Sequence, residues 1–244
     1  MQGAIVLNIT RYSDTGSIVH LYTAEHGRMQ YAIYGNKYKG LLRPLSIIDF
    51  TSTRRNNAPA QMGTLSSLSL LYTPQRLTTD IQRQCVAMFI AEVLVSTLRH
   101  PMSDQPLYDW LCEVIQHLDQ DTEISNLHLH FLLEYATYLG IGIDDTEHPN
   151  WFIAPASRNE RQHRLRSLTT YYEEHIEDFR PPKSLDVLME VFDWYKKDCS
   201  EKQSFLFSRK GFKGFKSFKG SSVSSPTSTT SPTSLPLKQH RRCD

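Results

Sequence analysis

The sequence predicts an α+β protein in which a small antiparallel β-barrel is followed by an all-α domain. Within residues 4–72, apolar residues alternate with polar ones in short segments rich in β-branched and aromatic side chains, which is typical of strands. From residue 79 onward, the apolar residues recur every three or four positions, which is typical of amphipathic helices. A run of strands followed by a run of helices indicates the α+β class.

Five strands are predicted in the first part of the chain. Three lie within residues 4–35, and Gly27 supplies the positive φ that a short hairpin loop needs between the second and the third. A fourth strand is predicted at residues 43–53, beginning near Pro44, and a fifth at residues 62–72. A five-stranded barrel with a basic groove is the oligonucleotide-binding (OB) architecture, although SH3-like barrels and other small sheets also use five strands.

Five helices are predicted in the second part, at residues 79–99, 104–118, 125–139, 157–176 and 184–197. Capping-box patterns at residues 79–82 and 157–160 predict where the first and the fourth helix begin. Pro101 and Gly140 follow the first and the third helix, where they are expected to end them. The intervening residues 140–156 are expected to form a linker or surface loop.

We therefore expect a barrel domain at residues 1–75, a helical domain at residues 76–200 and a tail at residues 201–244. The tail contains a tandem of Lys, Phe and Gly at residues 205–220 and then a stretch of Ser, Thr and Pro. Such a composition predicts disorder, and lysines between aromatic residues are typical of segments that bind single strands. An inert tail, or an abnormal C-terminus produced by a frame slip, are the alternatives.

Charge is unevenly distributed, although the whole chain has a formal net charge of only +1. Residues 1–75 hold seven Lys and Arg against three Asp and Glu, whereas residues 76–150 hold three against twelve. Residues 205–244 hold eight against one. Both ends could attract a polyanion, whereas the middle would repel one. Ordinary surface charge is the alternative interpretation.

Composition also sets expectations about location. The four cysteines lie far apart without a CxxC pair, which argues against a zinc cluster or a disulfide framework and fits a reducing cytosol. No apolar run approaches the ~20 residues that a bilayer requires, and no signal peptide is apparent. We expect a soluble intracellular protein that is not associated with a membrane.

The chain lacks the motifs of nucleotide hydrolysis, dinucleotide binding, zinc proteases and serine hydrolases. His128 and His130 are two residues apart on a predicted helix, so they point in different directions and cannot chelate one ion together. Cys85 and Cys112 fall on apolar helix positions, as buried thiols do. We expect no enzymatic activity, no metal and no cofactor.

The remaining chemistry is that of nucleic-acid binding, which uses cations for phosphates and aromatic faces for bases. Strand alternation places Arg28 and Tyr34 opposite the apolar face of their strand and therefore outside the barrel core. The candidate residues of the barrel and its loops are Arg11, Tyr12, Arg28, Tyr34, Lys37, Tyr38, Lys39, Arg43, Arg54 and Arg55. No reader of base identity is visible, so binding should tolerate any sequence and depend on salt.

The pattern AIVL…YSDTGSIVHLYTAEHGR…YG in residues 4–35 resembles the N-terminal OB domain of the RecO family of bacterial recombination mediators. The resemblance continues through LLRPLSIIDF and into CVAMFIAEVLVSTLR, PLYDWLCEVIQHLD and HLHFLLEYATYLGI, which are similar to the helical domain of Bacteroidetes-type members. It covers residues 3–142 and returns more weakly at residues 157–176 and 183–192.

The chain departs from the family in four places. Tyr34 stands where the family usually has Lys or Arg, and the basic loop after it is shorter. A stretch of helix and loop expected between Trp151 and Ser157 is missing, so the C-terminal half is atypically short. The cysteine zinc cluster of some relatives is absent.

The resemblance implies a protein of the bacterial cytoplasm, associated with the nucleoid, that binds single- and double-stranded DNA and anneals complementary strands. It implies RecR and the acidic C-terminal tip of single-stranded-DNA-binding protein as partners in loading recombinase onto DNA. Such a peptide needs cations beside an apolar pocket. The candidates, beside Leu165 and Leu168, are Arg158, Arg161, Arg164 and Arg166. An OB-type RNA-binding module and a scaffold that binds no nucleic acid remain alternatives.

Overall fold

A computed structural model of the chain describes residues 2–35, 37–38, 40–53, 62–99, 101–155 and 157–194. It contains a closed five-stranded barrel followed by helices, which confirms the predicted α+β class. The strands are β1 (Gln2–Arg11), β2 (Gly16–Thr23), β3 (Gly27–Tyr34), β4 (Ile47–Thr53) and β5 (Gly63–Leu70). Their order around the barrel is β1-β2-β3-β5-β4, and the β3–β5 pair is parallel whereas the others are antiparallel.

The register of the strands brings the candidate loops to particular ends of the barrel. Arg11 of β1 pairs with Ser17, and Gly16 at the start of β2 pairs with Tyr34 at the end of β3. We call residues 11–16, 34–35 and 37–38 the Tyr34 end. The hairpin between β2 and β3, where Thr23 pairs with Gly27, lies at the opposite end.

Residues 4–7 of strand β1 are buried on both faces because the barrel packs against the helices. Ala4 and Val6 belong to the core inside the barrel, whereas Ile5 and Leu7 belong to a second core that the barrel shares with the helical part. All four residues are at most 2% exposed. The outer face of this part of the strand is therefore an internal surface of the protein.

The five predicted helices are present, with one additional short helix. They are α1 (Ile81–Thr97), α2 (Gln105–Gln120), α3 (Leu127–Tyr138), α4 (Arg158–His175) and α5 (Leu185–Trp194). The predicted linker at residues 140–156 contains a 3-10 helix at Pro149–Phe152. The predicted end of the last helix, at residue 197, and the whole predicted tail lie outside the described residues.

Two helix starts were predicted from capping boxes, and one of them needs correction. Ser157 caps α4 as predicted, since its side chain accepts a hydrogen bond from the Glu160 N–H at 3.2 Å. Helix α1 is capped by Asp80 and not by Thr79. The Thr79 hydroxyl instead donates to the Arg76 carbonyl at 3.2 Å. The Asp80 carboxylate accepts from the N–H groups of Gln82 and Arg83, as an N-cap does.

The fourth strand is shorter than the predicted segment of residues 43–53. It begins only at Ile47, because the chain turns just before it. The Ser46 N–H donates to the Arg43 carbonyl at 3.0 Å, and Leu45 has a φ of 62°, which no strand residue has. The buried Leu45 nevertheless continues the apolar alternation, so the sequence pattern alone could not reveal the turn. Within the described ranges, no helix is long and apolar enough to cross a membrane.

Candidate nucleic-acid interface

The loop between β1 and β2 is held in shape by its own hydrogen bonds. The N–H groups of Tyr12 and Ser13 both donate to the Gly16 carbonyl at 3.2 Å, and the Gly16 N–H donates to the Ser13 hydroxyl at 2.8 Å. The exposed Arg11 guanidinium donates to the carbonyls of Ser13 at 3.3 Å and Asp14 at 3.1 Å. Arg11 is therefore engaged in ordering this loop.

Tyr12 and Tyr34 form a pair of exposed aromatic side chains at the Tyr34 end. Tyr12 is 51% exposed and Tyr34 is 61% exposed. Hydrogen bonding with the Tyr34 side chain raises the pKa of Tyr12 above its ordinary value. Two exposed tyrosine side chains are thus presented to solvent at the same end of the barrel.

The connection after β3 adds a cation to the same end of the barrel and a second cation further along the chain. The exposed Lys37 ammonium lies 4.9 Å from the ring centroid of Tyr38, within the range of a cation–π contact. Tyr38 itself is half-buried and packs against the barrel core, while Arg43 is exposed further along the connection. The other candidates, Lys39, Arg54 and Arg55, lie outside the described residues.

Arg28 lies at the opposite end of the barrel and contacts the helices. It follows the β2–β3 hairpin, and its Nη1 donates to the carbonyls of Val95 at 2.9 Å and Leu98 at 3.1 Å. Those carbonyls belong to the C-terminal turn of α1, where intrahelical partners are lacking and a cation is favourable. Burial, followed by the nearby charge of Arg99, lowers the pKa of Arg28. The structure therefore does not bring Arg28 together with Tyr34 and Lys37.

The four arginines of α4 also separate into two groups. Arg158 and Arg166 are exposed, whereas Arg161 and Arg164 are only 5% and 3% exposed. Arg164 donates to Glu160 at 2.7 Å and to the Ile153 carbonyl, which ties the preceding segment to the helix.

Arg161 borders a small pocket between α3, α4 and α5. Its Nε donates to the Asn126 side chain at 3.0 Å, and its guanidinium carbon lies 5.9 Å from the Phe192 ring centroid. The pocket is lined by His128, Arg158, Arg161, Gln162, Leu165, Leu188, Met189 and Phe192. Two cations thus stand beside an apolar surface.

No sequence pattern indicates that His128 lines this pocket. Its side chain is 1% exposed, and its Nδ1 has no hydrogen-bond partner among the described residues. Burial, followed by the charge of Arg161, lowers the pKa of His128 to about 3, so the ring is neutral at physiological pH. The described residues contain no group of three or more His, Cys, Asp or Glu that could hold a metal ion.

Comparison with known proteins places both parts of the chain in one family. Residues 1–73 match the family model described as Recombination protein O N terminal, and residues 78–150 match the one described as Recombination protein O C terminal. The chain is similar to DNA repair protein RecO of Flavobacterium johnsoniae, at 26% identity over 235 residues, covering 78% of this chain and 97% of the relative. It is 28% identical to DNA repair protein RecO of Phocaeicola vulgatus, covering 77% and 97%. For the Porphyromonas gingivalis protein of the same name, the identity is 29% and the coverage is 78% and 98%. With a barrel and a helical part that each match, this chain belongs to the RecO family.

Proposed function

We propose that this chain is a non-catalytic DNA-repair and recombination mediator of the bacterial cytoplasm. It binds single- and double-stranded DNA, anneals complementary strands and, with RecR, helps to load recombinase onto DNA coated by single-stranded-DNA-binding protein. Family membership and the names of the relatives support the repair role. The observation that carries the DNA-binding part is the set of exposed side chains at and after the Tyr34 end, with Lys37 and Arg43 as phosphate contacts.

Contacts of this kind explain why binding need not depend on base sequence. A Lys or Arg that neutralises a phosphate releases condensed counterions, so affinity falls as salt rises. Such contacts leave the base edges free, and they reduce the repulsion between two strands that are brought together. Annealing of complementary strands follows from both effects.

The pocket between α3, α4 and α5 supports the proposed partner. The acidic tip of single-stranded-DNA-binding protein would place its carboxylates near Arg158 and Arg161 and its apolar end against Leu188 and Phe192. Arg164 is not part of this pocket lining, because Glu160 and the Ile153 carbonyl hold its guanidinium. The proposed peptide site therefore comprises two of the four arginines that the sequence suggested.

A salt titration tests the DNA interface. Changing Lys37→Ala together with Lys39→Ala should weaken binding to a single-stranded oligonucleotide and flatten the dependence of log K on log salt by up to about two units. Lys183→Ala, an exposed lysine before α5, serves as the control and should change neither quantity. Unchanged affinity and slope in the double variant would overturn the assignment of this interface.

An annealing assay tests the peptide site. Arg158→Glu should reduce annealing on DNA coated by intact single-stranded-DNA-binding protein to the level seen when that protein lacks its acidic tip. Arg166→Glu makes the same charge change on the same helix but outside the pocket lining, and should have little effect. If both variants behave alike, the pocket is not the binding site of the tip.

Two other outcomes would point to the alternative functions. Stronger binding of a matched RNA strand than of the DNA strand in a competition assay would indicate an RNA-binding module. Partners retained after nuclease treatment, with no DNA binding at low salt, would indicate a scaffold.

A further inference from the structure

Tyr12 and Tyr34 are exceptional among the aromatic residues of this protein. Of the described Phe, Tyr and Trp side chains, only Tyr12, Tyr34 and Tyr138 are strongly exposed. Tyr138 lies against Trp110, with 4.9 Å between the ring centroids, on the helical part of the molecule. Tyr12 instead contacts Gly16, the strand partner of Tyr34, so the Tyr34 end presents two exposed aromatic side chains that the barrel core does not use.

The backbone at Gly16 links the two tyrosines, and Tyr12 can lie against it because glycine has no Cβ. A Cβ placed on Gly16 would lie 2.5 Å from Cζ and 2.6 Å from the hydroxyl oxygen of Tyr12, so the tyrosine lies directly against the glycine. Gly16 is also the strand partner of Tyr34. The Gly35 N–H donates to the Thr15 carbonyl at 2.8 Å, which joins the chain after Tyr34 to the β1–β2 loop. A preorganised surface loses little conformational entropy when a ligand binds.

The charges around the pair suit a polyanion that carries flat bases. Lys37 and Arg43 are exposed cations of the following connection, and Asp14 is the one acid of the β1–β2 loop. The Arg11 guanidinium is bound to the Ser13 and Asp14 carbonyls, so it shapes the loop that carries Tyr12. Aromatic faces flanked by cations are the means by which OB-type barrels bind single strands.

We propose that Tyr12 and Tyr34 form a stacking platform for unpaired bases, which makes the barrel prefer single-stranded DNA to duplex, and that Arg11 is the residue that positions it. This inference rests on the proposed DNA-binding function. Bases in a duplex are stacked on each other and expose no face, so the platform contributes only to single strands. Phosphate contacts from Lys37 and Arg43 contribute to both forms.

The test compares one single-stranded oligonucleotide with its blunt duplex at a fixed salt concentration, using the full chain. Tyr12→Ala with Tyr34→Ala should weaken single-strand binding about tenfold or more and duplex binding by less than about twofold. Tyr12→Phe with Tyr34→Phe keeps the rings and should bind both as the unchanged protein does. Lys37→Ala should weaken both forms by similar factors.

Two further readouts separate stacking from a loss of structure. Fluorescence of a 2-aminopurine base in the single strand should be quenched on binding by the unchanged protein and by the Phe variant, but not by the Ala variant. Tyr34→Leu keeps apolar area without an aromatic face and should also lose the quenching. Arg11→Lys keeps the charge, so the salt slope should not change. It lacks the guanidinium that bonds the Ser13 and Asp14 carbonyls, so single-strand affinity and quenching should fall.

The outcomes distinguish this inference from the function on which it rests. If the unchanged protein binds neither DNA form at low salt, the proposed function fails. If it binds DNA but the Ala variant loses affinity for both forms equally, or for neither, the platform is overturned while the DNA-binding function stands. An unchanged thermal unfolding midpoint in the variants confirms that the comparison is made between folded proteins.

Discussion

The hydroxyl of Tyr72 donates a 2.7 Å hydrogen bond to the carboxylate of Asp119, which joins the segment leaving the barrel to the last turn of α2. The same carboxylate accepts hydrogen bonds from three consecutive backbone N–H groups, those of Gln75, Arg76 and Leu77, at 2.6–3.1 Å. Asp119 is only 1% exposed. A single buried carboxylate thus fixes how the barrel is connected to the helices.

We predict that Asp119→Asn lowers the free energy of unfolding by about 3 kcal/mol, because an amide accepts fewer hydrogen bonds and leaves buried N–H groups without a partner. Urea unfolding of the full chain measures the change. Asp121→Asn is the matched control two residues later, since its side chain is half-exposed and pairs with His117 at 3.1 Å. The control should lose less than about 1 kcal/mol. Equal losses in both variants would contradict the role given to Asp119.

The buried His128 predicts a loss of stability below neutral pH. Its folded pKa, about 3, lies below the ordinary value, so between about pH 6.5 and 3 the unfolded chain binds a proton that the folded protein excludes. Stability is therefore complete above pH 6.5 and falls as the pH is lowered. Between pH 7 and 5 the contribution is about 2 kcal/mol.

His128→Leu should remove this part of the pH dependence, as measured by urea unfolding at pH 7 and 5. Burial also lowers the pKa of His20 and His130, which adds slope of the same sign, whereas burial raises the pKa of Glu134, which adds slope of the opposite sign. The control therefore sets the slope against which the His128 variant is compared. The pKa of Asp119 is raised by burial but lowered further by its hydrogen bonds. Because its folded pKa lies below the ordinary value, Asp119 loses its stabilisation only at a lower pH. The exposed His163→Gln is the control, and a His128 variant with the full slope would refute the prediction.

Two features of the structure require glycine at residue 27, a positive φ and a close neighbour, and a pair of variants can distinguish their effects on stability. Its φ is 63°, and a Cβ there would lie 2.4 Å from the carbonyl oxygen of Met102. Gly35 has a φ of 78° with nothing within 4 Å of a Cβ. Gly35→Ala should therefore cost only the backbone strain, about 1 kcal/mol, whereas Gly27→Ala should cost about 3 kcal/mol or more. Equal shifts of the unfolding curves of the two variants would contradict the close contact between the hairpin and Met102.

The elements of the fold could be predicted because each depends on a local pattern. The apolar residues that alternate in β1–β3 and recur every three or four positions in the helices are the residues that form the two cores of the structure. The start of β4 could not be predicted, since Leu45 keeps the alternation while its backbone turns back to donate to the Val6 carbonyl at 2.8 Å. That hydrogen bond depends on a strand distant in sequence.

The candidate site was harder to predict than the fold. Sequence periodicity identifies the face of a strand that lies outside its own core, but it does not show whether that face meets solvent or another part of the protein. Alternation correctly separates Arg28 from the barrel core, but the space outside β3 at that point is occupied by α1. Likewise, Arg161 and Arg164 lie on the side of α4 that carries the buried Leu165 and Leu168. The pocket around His128 combines three helices, so only the tertiary structure reveals it.

Arg28 provides the last prediction, because it tests whether a candidate DNA contact is instead a structural link. Arg28→Gln should lower the free energy of unfolding by about 2 kcal/mol, since the charged hydrogen bonds to the Val95 and Leu98 carbonyls are lost. Arg28→Lys should recover only part of this, because one ammonium on a flexible stem does not reproduce the guanidinium fork. Both variants should keep the salt slope of DNA binding.

Lys37→Ala is the opposite case and serves as the comparison. That exposed lysine should leave the unfolding free energy within about 0.5 kcal/mol of the unchanged protein while reducing the salt slope by about one unit. Urea unfolding and a salt titration on the same preparations give both quantities. A reduced slope with unchanged stability in Arg28→Gln would return Arg28 to the DNA interface and contradict its role as a cap of α1.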